Sequence, residues 1–279
     1  MTDHPQLAIE YFILSVVEQS HSCVAMAALL TAVQGRVPEA TRTQVRAAVK
    51  SMVVSGLLAY AEKCGTSCLV VGHNVSARVS ERIFLTPGRL PDPQVAGAVV
   101  IRLTSGASFG MGDHPTTRMA LRGLDCLAMC LAKDLRIETA NALDIGTGTG
   151  VLAIAAAKLG FKHVVAVDID AVACYEALLN ATANNVQQVL EIVFGTLEAL
   201  TTRRFDVILA NLRPPTLVAL APKMIEMTNP GGFWIISGFR DHERPALLSA
   251  LPQRCRELQV ETDKAWCASV CQLYPSAGA

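Results

Sequence analysis

The sequence predicts an α/β protein, a doubly wound seven-stranded sheet over its carboxyl-terminal two thirds, preceded by a small helical domain closed by a β-hairpin. Three observations carry this prediction. From about residue 140 onward, short apolar runs alternate with segments of helix length. A glycine-rich turn follows the first of these runs. The first 85 residues show helical periodicity that gives way to two short apolar runs across a turn.

In the amino-terminal part, Leu7 to Glu18 and Ala25 to Val33 have apolar residues at helical spacing. Thr41 to Leu57 repeats the pattern, with Val45, Ala48, Val49, Met52 and Val53 on one face. Leu57 to Ala61 and Cys68 to Val71 then flank a Lys-Cys-Gly-Thr-Ser turn and read as a hairpin. Three helices closed by a hairpin resemble a winged helix-turn-helix module. Residues 86–94, TPGRLPDPQ, hold three prolines and a glycine and cannot continue a helix or a central strand. They set the expected organisation as a winged-helix-like domain over 1–85, a linker over 86–94 and a second domain over 95–279.

Within the second domain, Ala142 to Ile145, Val164 to Asp168, Leu190 to Phe194, Phe205 to Ala210 and Phe233 to Ser237 are strand-like, with helices between most of them. Arg256 to Thr262 and Trp266 to Leu273 are separated only by Asp263 to Ala265. A parallel crossover needs about a dozen residues, so these two strands should form an antiparallel hairpin at the sheet edge.

Composition narrows the function. Lys+Arg and Asp+Glu stand at 24 each, which argues against a chain built to coat nucleic acid or an acidic membrane. The start, MTDHPQLAIEYF, lacks the basic opening and apolar stretch of a signal peptide. The longest uncharged stretch, near Gln19 to Gly35, is too polar to span a membrane. A soluble, cytoplasmic protein is expected. Nine scattered cysteines fit reduced thiols there. Cys64/Cys68, Cys126/Cys130 and Cys267/Cys271 are spaced CxxxC, which favours small buried hydrophobes over a metal site, and no metal is expected.

Three motifs carry chemistry. In ALDIGTGTGVLAIAAAKLG, Gly146, Gly148 and Gly150 let the backbone turn tightly at a helix amino terminus and approach a ligand closely. The GxGxG spacing differs from the GxGxxG of nicotinamide enzymes. Asp168, ending the next strand in VVAVDID, is placed to accept both hydroxyls of a ribose. A structural turn followed by a strand-end Asp is the alternative. Upstream, SFGMGDHPTTRMALRGLD forms a shaped loop, able to fold over a ligand or to serve as a plain linker. Finally, FDVILANLRPPT ends a strand in Asn211, whose carboxamide can accept a hydrogen bond from an amine nucleophile or simply form a turn.

In this order and spacing, FGMGDHPTT, ALDIGTGTGVLAIAAAKLG, VVAVDID, FDVILANL, NPGGFWIISGF and KAWCASV resemble the PrmA-type methyltransferases, which modify a ribosomal protein on amino groups. The resemblance covers about residues 100 to 275. It implies a Rossmann-like class I methyltransferase sheet and S-adenosyl-L-methionine (SAM) as cofactor. By resemblance, Thr117, Gly146, Asp168 and Asn211 contact SAM, and Asn211 also borders the substrate amine. Phe109, Gly148 and Gly150 belong to the same cofactor motifs. An acidic residue often contacts adenine after the third strand; here the segment reads FGTLEAL, and Thr196 or the backbone near Leu197 takes that place.

This chain departs from the family pattern at Gly-Met-Gly-Asp-His in the loop. It departs again at Leu-Arg-Pro-Pro after Asn211, where Arg213 puts a cation beside the substrate entrance. Residues 1–85 do not look like the α+β recognition domain of the family.

Methyl transfer needs alignment and exclusion of water more than a nucleophilic side chain. His114 is a candidate base, with loop structure or cofactor contact as the alternative. The leading reading is N-methylation of lysine or terminal amino groups on a protein. A second is a small-molecule methyltransferase that dimerises through the winged-helix-like domain. A third is a SAM-sensing DNA-binding regulator using Arg42, Arg46 and Lys50, which share one helix face. Residues 1–90 hold eight Lys and Arg against six Asp and Glu, little basic excess for binding nucleic acid.

Overall fold

A computed structural model describes residues 5–20, 23–54, 57–63, 66–71, 77–87, 93, 95–103, 109–110, 112, 114–131, 136–251 and 255–274. The chain divides into two compact units, Met1–Ser76 and Ala77–Ala279. This break lies nearer the amino terminus than the proline-rich stretch at 86–94.

The first unit contains helices α1 (Pro5–Gln19), α2 (Met26–Arg36) and α3 (Arg42–Val54), then strands β1 (Leu58–Lys63) and β2 (Thr66–Val71). β1 and β2 pair as an antiparallel hairpin, in the order the periodicity predicts; Cys64 and Gly65 of the expected turn lie outside the described residues. Thr41 and Gln44 start α3 with a reciprocal capping box. The Gln44 N–H donates to Thr41 Oγ1 (3.2 Å) and the Thr41 N–H donates to Gln44 Oε1 (2.9 Å). Ile13, Leu29, Val45, Val49, Leu58 and Leu69 meet in one apolar core. Val24 pairs with Leu69 through two backbone hydrogen bonds of 2.8 Å. That pairing sets Cys23 beside Cys68, and the two form a disulfide with Cα atoms 5.4 Å apart. The expectation of reduced thiols therefore fails at these two positions, while Cys174, Cys255, Cys267 and Cys271 are free thiols.

The second unit opens with a three-stranded sheet that the sequence reading missed: β3 (Ala77–Arg78), β4 (Ile83–Pro87) and β5 (Val99–Leu103), with β4 and β5 parallel. The residues taken as linker thus begin inside β4. Ile83, Leu85, Ile101 and Leu103 are all buried, and this burial outweighs the proline signal that follows.

The main sheet has seven strands: β6 (Asn141–Ile145), β7 (His163–Asp168), β8 (Leu190–Phe194), β9 (Phe205–Asn211), β10 (Thr228–Arg240), β11 (Cys255–Asp263) and β12 (Trp266–Leu273). Their order is β11-β12-β10-β9-β6-β7-β8. The five strands from β10 to β8 are parallel, and β12 runs antiparallel between β10 and the edge strand β11. The expected edge hairpin is present, closed by Lys264 and Ala265 at φ of 49° and 63°.

Alternation along the parallel strands feeds two cores. Ala142, Val164, Ala166, Val207 and Leu209 face α4 (Pro115–Cys126) and α5 (Val151–Leu159). Leu143, Val165, Val167, Ile208 and Ala210 face α7 (Pro214–Met227) and α8 (Arg244–Ala250). α6 (Ala171–Ala183) links β7 to β8. Among the described residues, no helix is long and apolar enough to cross a membrane.

Candidate active site

A cleft of about 910 Å³ lies along the carboxyl ends of the parallel strands. Its wall is made by the segments that follow β8, β7, β6 and β9, in that spatial order: Gly195 to Glu198, Asp168 to Asp170, Gly146 with Gly148, and Asn211 to Arg213. Three inter-strand steps of about 4.8 Å separate the first group from the last, so an elongated ligand roughly 14 Å in length would meet all four.

The glycine turn after β6 needs its glycines for different reasons. Gly148 has φ of 55°, and a Cβ there would lie 2.3 Å from the Phe109 carbonyl oxygen. Gly150 starts α5, and a Cβ on it would press on Ala177 of α6 at 3.1 Å. Gly148 therefore lets the upstream loop lie against the turn, whereas Gly150 lets two helices pack. The Asp168 carboxylate ties this turn to the next one. Oδ2 accepts from the Gly148 N–H and Oδ1 from the Asp170 N–H, both at 3.0 Å. Asp170 in turn caps α6 by accepting from the Val172 N–H at 2.8 Å.

Beneath the turn, Asp144 is fully buried and accepts from the Thr147 hydroxyl (2.7 Å) and the Ala153 N–H (3.2 Å). Burial, opposed by these hydrogen bonds, pushes its carboxyl up from 3.8 to about 7. A carboxyl raised on folding favours the native state fully below its unfolded value, and that contribution is lost as pH rises through the folded value. Asp144→Asn, which keeps an acceptor without a charge, should gain stability relative to the parent between pH 4 and 7, by up to about 4 kcal/mol. Urea unfolding of both proteins across that range checks this. A constant difference would show that Asp144 keeps its unfolded ionisation in the native state.

The upstream loop closes over the turn. The Phe109 carbonyl accepts from the Thr149 N–H (3.1 Å), and Gly110 O accepts from the Thr149 hydroxyl (3.0 Å). His114 caps α4, its Nδ1 lying 3.3 Å from the Thr116 N–H and 2.7 Å from Thr116 Oγ1, and Pro115 follows at the first helical position. Its ring meets Phe109 and Trp266 edge-on, with centroids 5.2 Å and 4.8 Å away. Burial, then the Arg240 charge, lowers the imidazole pKa, which favours the neutral ring.

Asn211 ends β9. Its Nδ2 donates to Thr117 Oγ1 at 3.3 Å. Its Oδ1 is buried and, among the described residues, has no hydrogen-bond partner. An unpaired buried acceptor costs about 1 to 3 kcal/mol.

The residues expected from sequence are therefore mostly brought together. Phe109, Gly146, Gly148, Asp168, Thr196, Leu197 and Asn211 line the cleft. Thr117 does not line it; it is fully buried behind Asn211, and Thr116 takes the wall position. Gly150 is likewise absent from the wall. Met111 and Asp113 of the loop lie outside the described residues. The sequence reading missed Ile169, Glu198, Leu212, Gly238 and Trp266 as lining residues. Glu198 supplies an acidic group in the segment where only Thr196 and Leu197 were expected, and its place in FGTLEAL was a usable signal. Gly238 was legible only in three dimensions, since a Cβ there would meet Leu212 O at 2.5 Å. Among the described residues, no group of three or more His, Cys, Asp or Glu could hold a metal ion.

The glycine turn, the acidic end of β7 and an antiparallel seventh strand inserted beside the fifth together define a class I methyltransferase domain. The chain belongs to the ribosomal protein L11 methyltransferase (PrmA) family, whose model matches residues 75–273. It is 34% identical over 197 residues to the ribosomal protein L11 methyltransferase of Clostridium perfringens strain SM101, covering 70% of this chain and 60% of that protein. It is 38% identical over 200 residues to that of Pelobacter propionicus, covering 72% and 63%. The chain thus spans about 60% of the length of these relatives. A crystal structure of ribosomal protein L11 methylase from Lactobacillus delbrueckii subsp. bulgaricus matches 72% of this chain and 99% of its own, at 27% identity and a TM-score of 0.63. Residues 1–74 stand outside the family match.

Proposed function

We propose that this chain is a SAM-dependent methyltransferase that N-methylates lysine or terminal amino groups of a protein. The observation that carries this reading is the buried, unpartnered Oδ1 of Asn211, set at one end of a row of strand-end groups suited to a nucleoside-bearing cofactor. Family membership supports it. The donors present fit SAM. Thr196, Leu197, Glu198 and Ile169 suit the base, Asp168 can accept from the ribose hydroxyls, and Gly146 and Gly148 let the backbone approach closely. When bound, SAM supplies a methyl group on a sulfonium, open to in-line displacement.

The chain's own residues do the rest. Asn211 Oδ1 accepts an N–H of the neutral amine and points its lone pair along the line of attack, while Thr117 holds the carboxamide in that orientation. A lysine amine, with a reference pKa of about 10.4, must be neutral to react, and a desolvated site beside a cation lowers that value. His114 is committed through Nδ1 to capping α4, so we assign it to shaping the loop and let the amine proton leave to water.

The first unit we read as a winged-helix-like module that either docks the protein substrate or pairs two copies of the chain. Its stripe of exposed Arg42, Arg46 and Lys50 we read as a solvated face. We place the activity in the cytoplasm, in line with the free thiols; the Cys23–Cys68 bond is the feature that runs against it. Incubating a lysate with methyl-labelled SAM tests the substrate class. Label in a discrete protein band, mapped to lysine or an amino terminus, is expected, and label only in the low-mass fraction would overturn the reading.

A further inference from the structure

We propose that Arg213 and Arg240 make the mouth of the cleft a reader of negative charge, so that the preferred polypeptide substrate carries a carboxylate side chain next to the amine it presents. This rests on the amine methylation proposed above. Arg213 sits two residues beyond Asn211 on the cleft wall, with 59% of its side chain exposed. Its ion-pair partner is Glu243, at a loose 3.6 Å. The other oxygen of that carboxylate, Oε2, accepts from the Arg240 backbone N–H at 2.6 Å. The Arg240 guanidinium lies 3.7 Å from the centroid of Trp266, a cleft-lining residue, and Arg213 lies 5.6 Å from the same ring.

Against these stand Glu243 and the exposed Asp241, which, like Arg240, lie beside the cleft wall and not in it. The acidic wall residues Asp168, Asp170 and Glu198 gather instead with the β7 and β8 segments, away from Asn211. Among the described lining residues, the charge at the substrate end is thus the Arg213 cation, and the charges at the other end are acidic. A protonated amine flanked by basic residues is repelled at such an entrance, and one flanked by acidic residues is drawn in.

The test uses the full chain loaded with S-adenosylhomocysteine and two fluorescent lysine peptides, one with glutamates on both sides of the lysine and one with glutamines. By fluorescence anisotropy at low salt the glutamate peptide should bind roughly tenfold more tightly, and the advantage should shrink as salt rises through about 0.5 M. Arg213→Glu should reverse the preference, and Arg213→Lys should keep most of it. Equal affinity for the two peptides, or a preference that survives Arg213→Glu combined with Arg240→Gln, would overturn the inference. Methyl transfer, followed separately, bears on the proposed function: peptides that bind with the expected preference but are never methylated count against amine methylation and leave the charge reading standing.

Discussion

Replacing Asn211 with alanine should slow methyl transfer tenfold to a thousandfold, about 1.4 to 4 kcal/mol of transition-state stabilisation, with little change in cofactor affinity. The carboxamide of this cleft-lining residue hydrogen-bonds Thr117 through Nδ2, and its Oδ1 is buried with no partner among the described residues. Its removal relieves a buried unpaired acceptor, so the variant should be at least as stable as the parent. Single-turnover methylation and a SAM titration on one preparation separate the two effects. Unchanged turnover would remove Asn211 from the chemistry, and a parallel fall in affinity and rate would make it a cofactor ligand only.

Asp168→Ala should sharply weaken SAM binding. The ribose hydroxyls would lose a charge-assisted acceptor, worth roughly 1.5 to 3 kcal/mol or about ten- to a hundred-and-fifty-fold in affinity. The same carboxylate also holds the Gly148 and Asp170 N–H groups, so the turn under the ligand and the approach to α6 would loosen together. Calorimetric titration measures the loss, and thermal unfolding of the unliganded variant shows whether the fold survives. Wild-type affinity would mean that the glycine turn and Asp168 do not form the cofactor site.

The sheet and the centre of the site were legible because both rest on local rules. Continuous apolar runs bounded by turns marked the parallel strands, and a strand feeding a glycine turn marked β6 and α5. What escaped depended on distant neighbours. β4 and β5 were hidden by the prolines between them, although Ile83, Leu85, Ile101 and Leu103 had an apolar core to enter. Thr117 is expected at the cofactor from the family resemblance alone, and its hydrogen bond to Asn211 joins residues 94 positions apart, which no local pattern reveals. Trp266 was visible as a strand residue, but its place at the mouth depends on Lys264 and Ala265 both adopting left-handed backbone, unusual for residues other than glycine. The Cys23–Cys68 pairing spans 45 residues, and no spacing rule among nine cysteines singles it out.

A crystal structure of the full chain with S-adenosylhomocysteine tests the central claim most directly. It should place the ribose hydroxyls on the Asp168 carboxylate, the base among Ile169, Thr196 and Glu198, and the sulfur at the end of the cleft bordered by Asn211 Oδ1. A ligand bound elsewhere, or lying in the cleft with its sulfur at the β8 end away from Asn211, would contradict it.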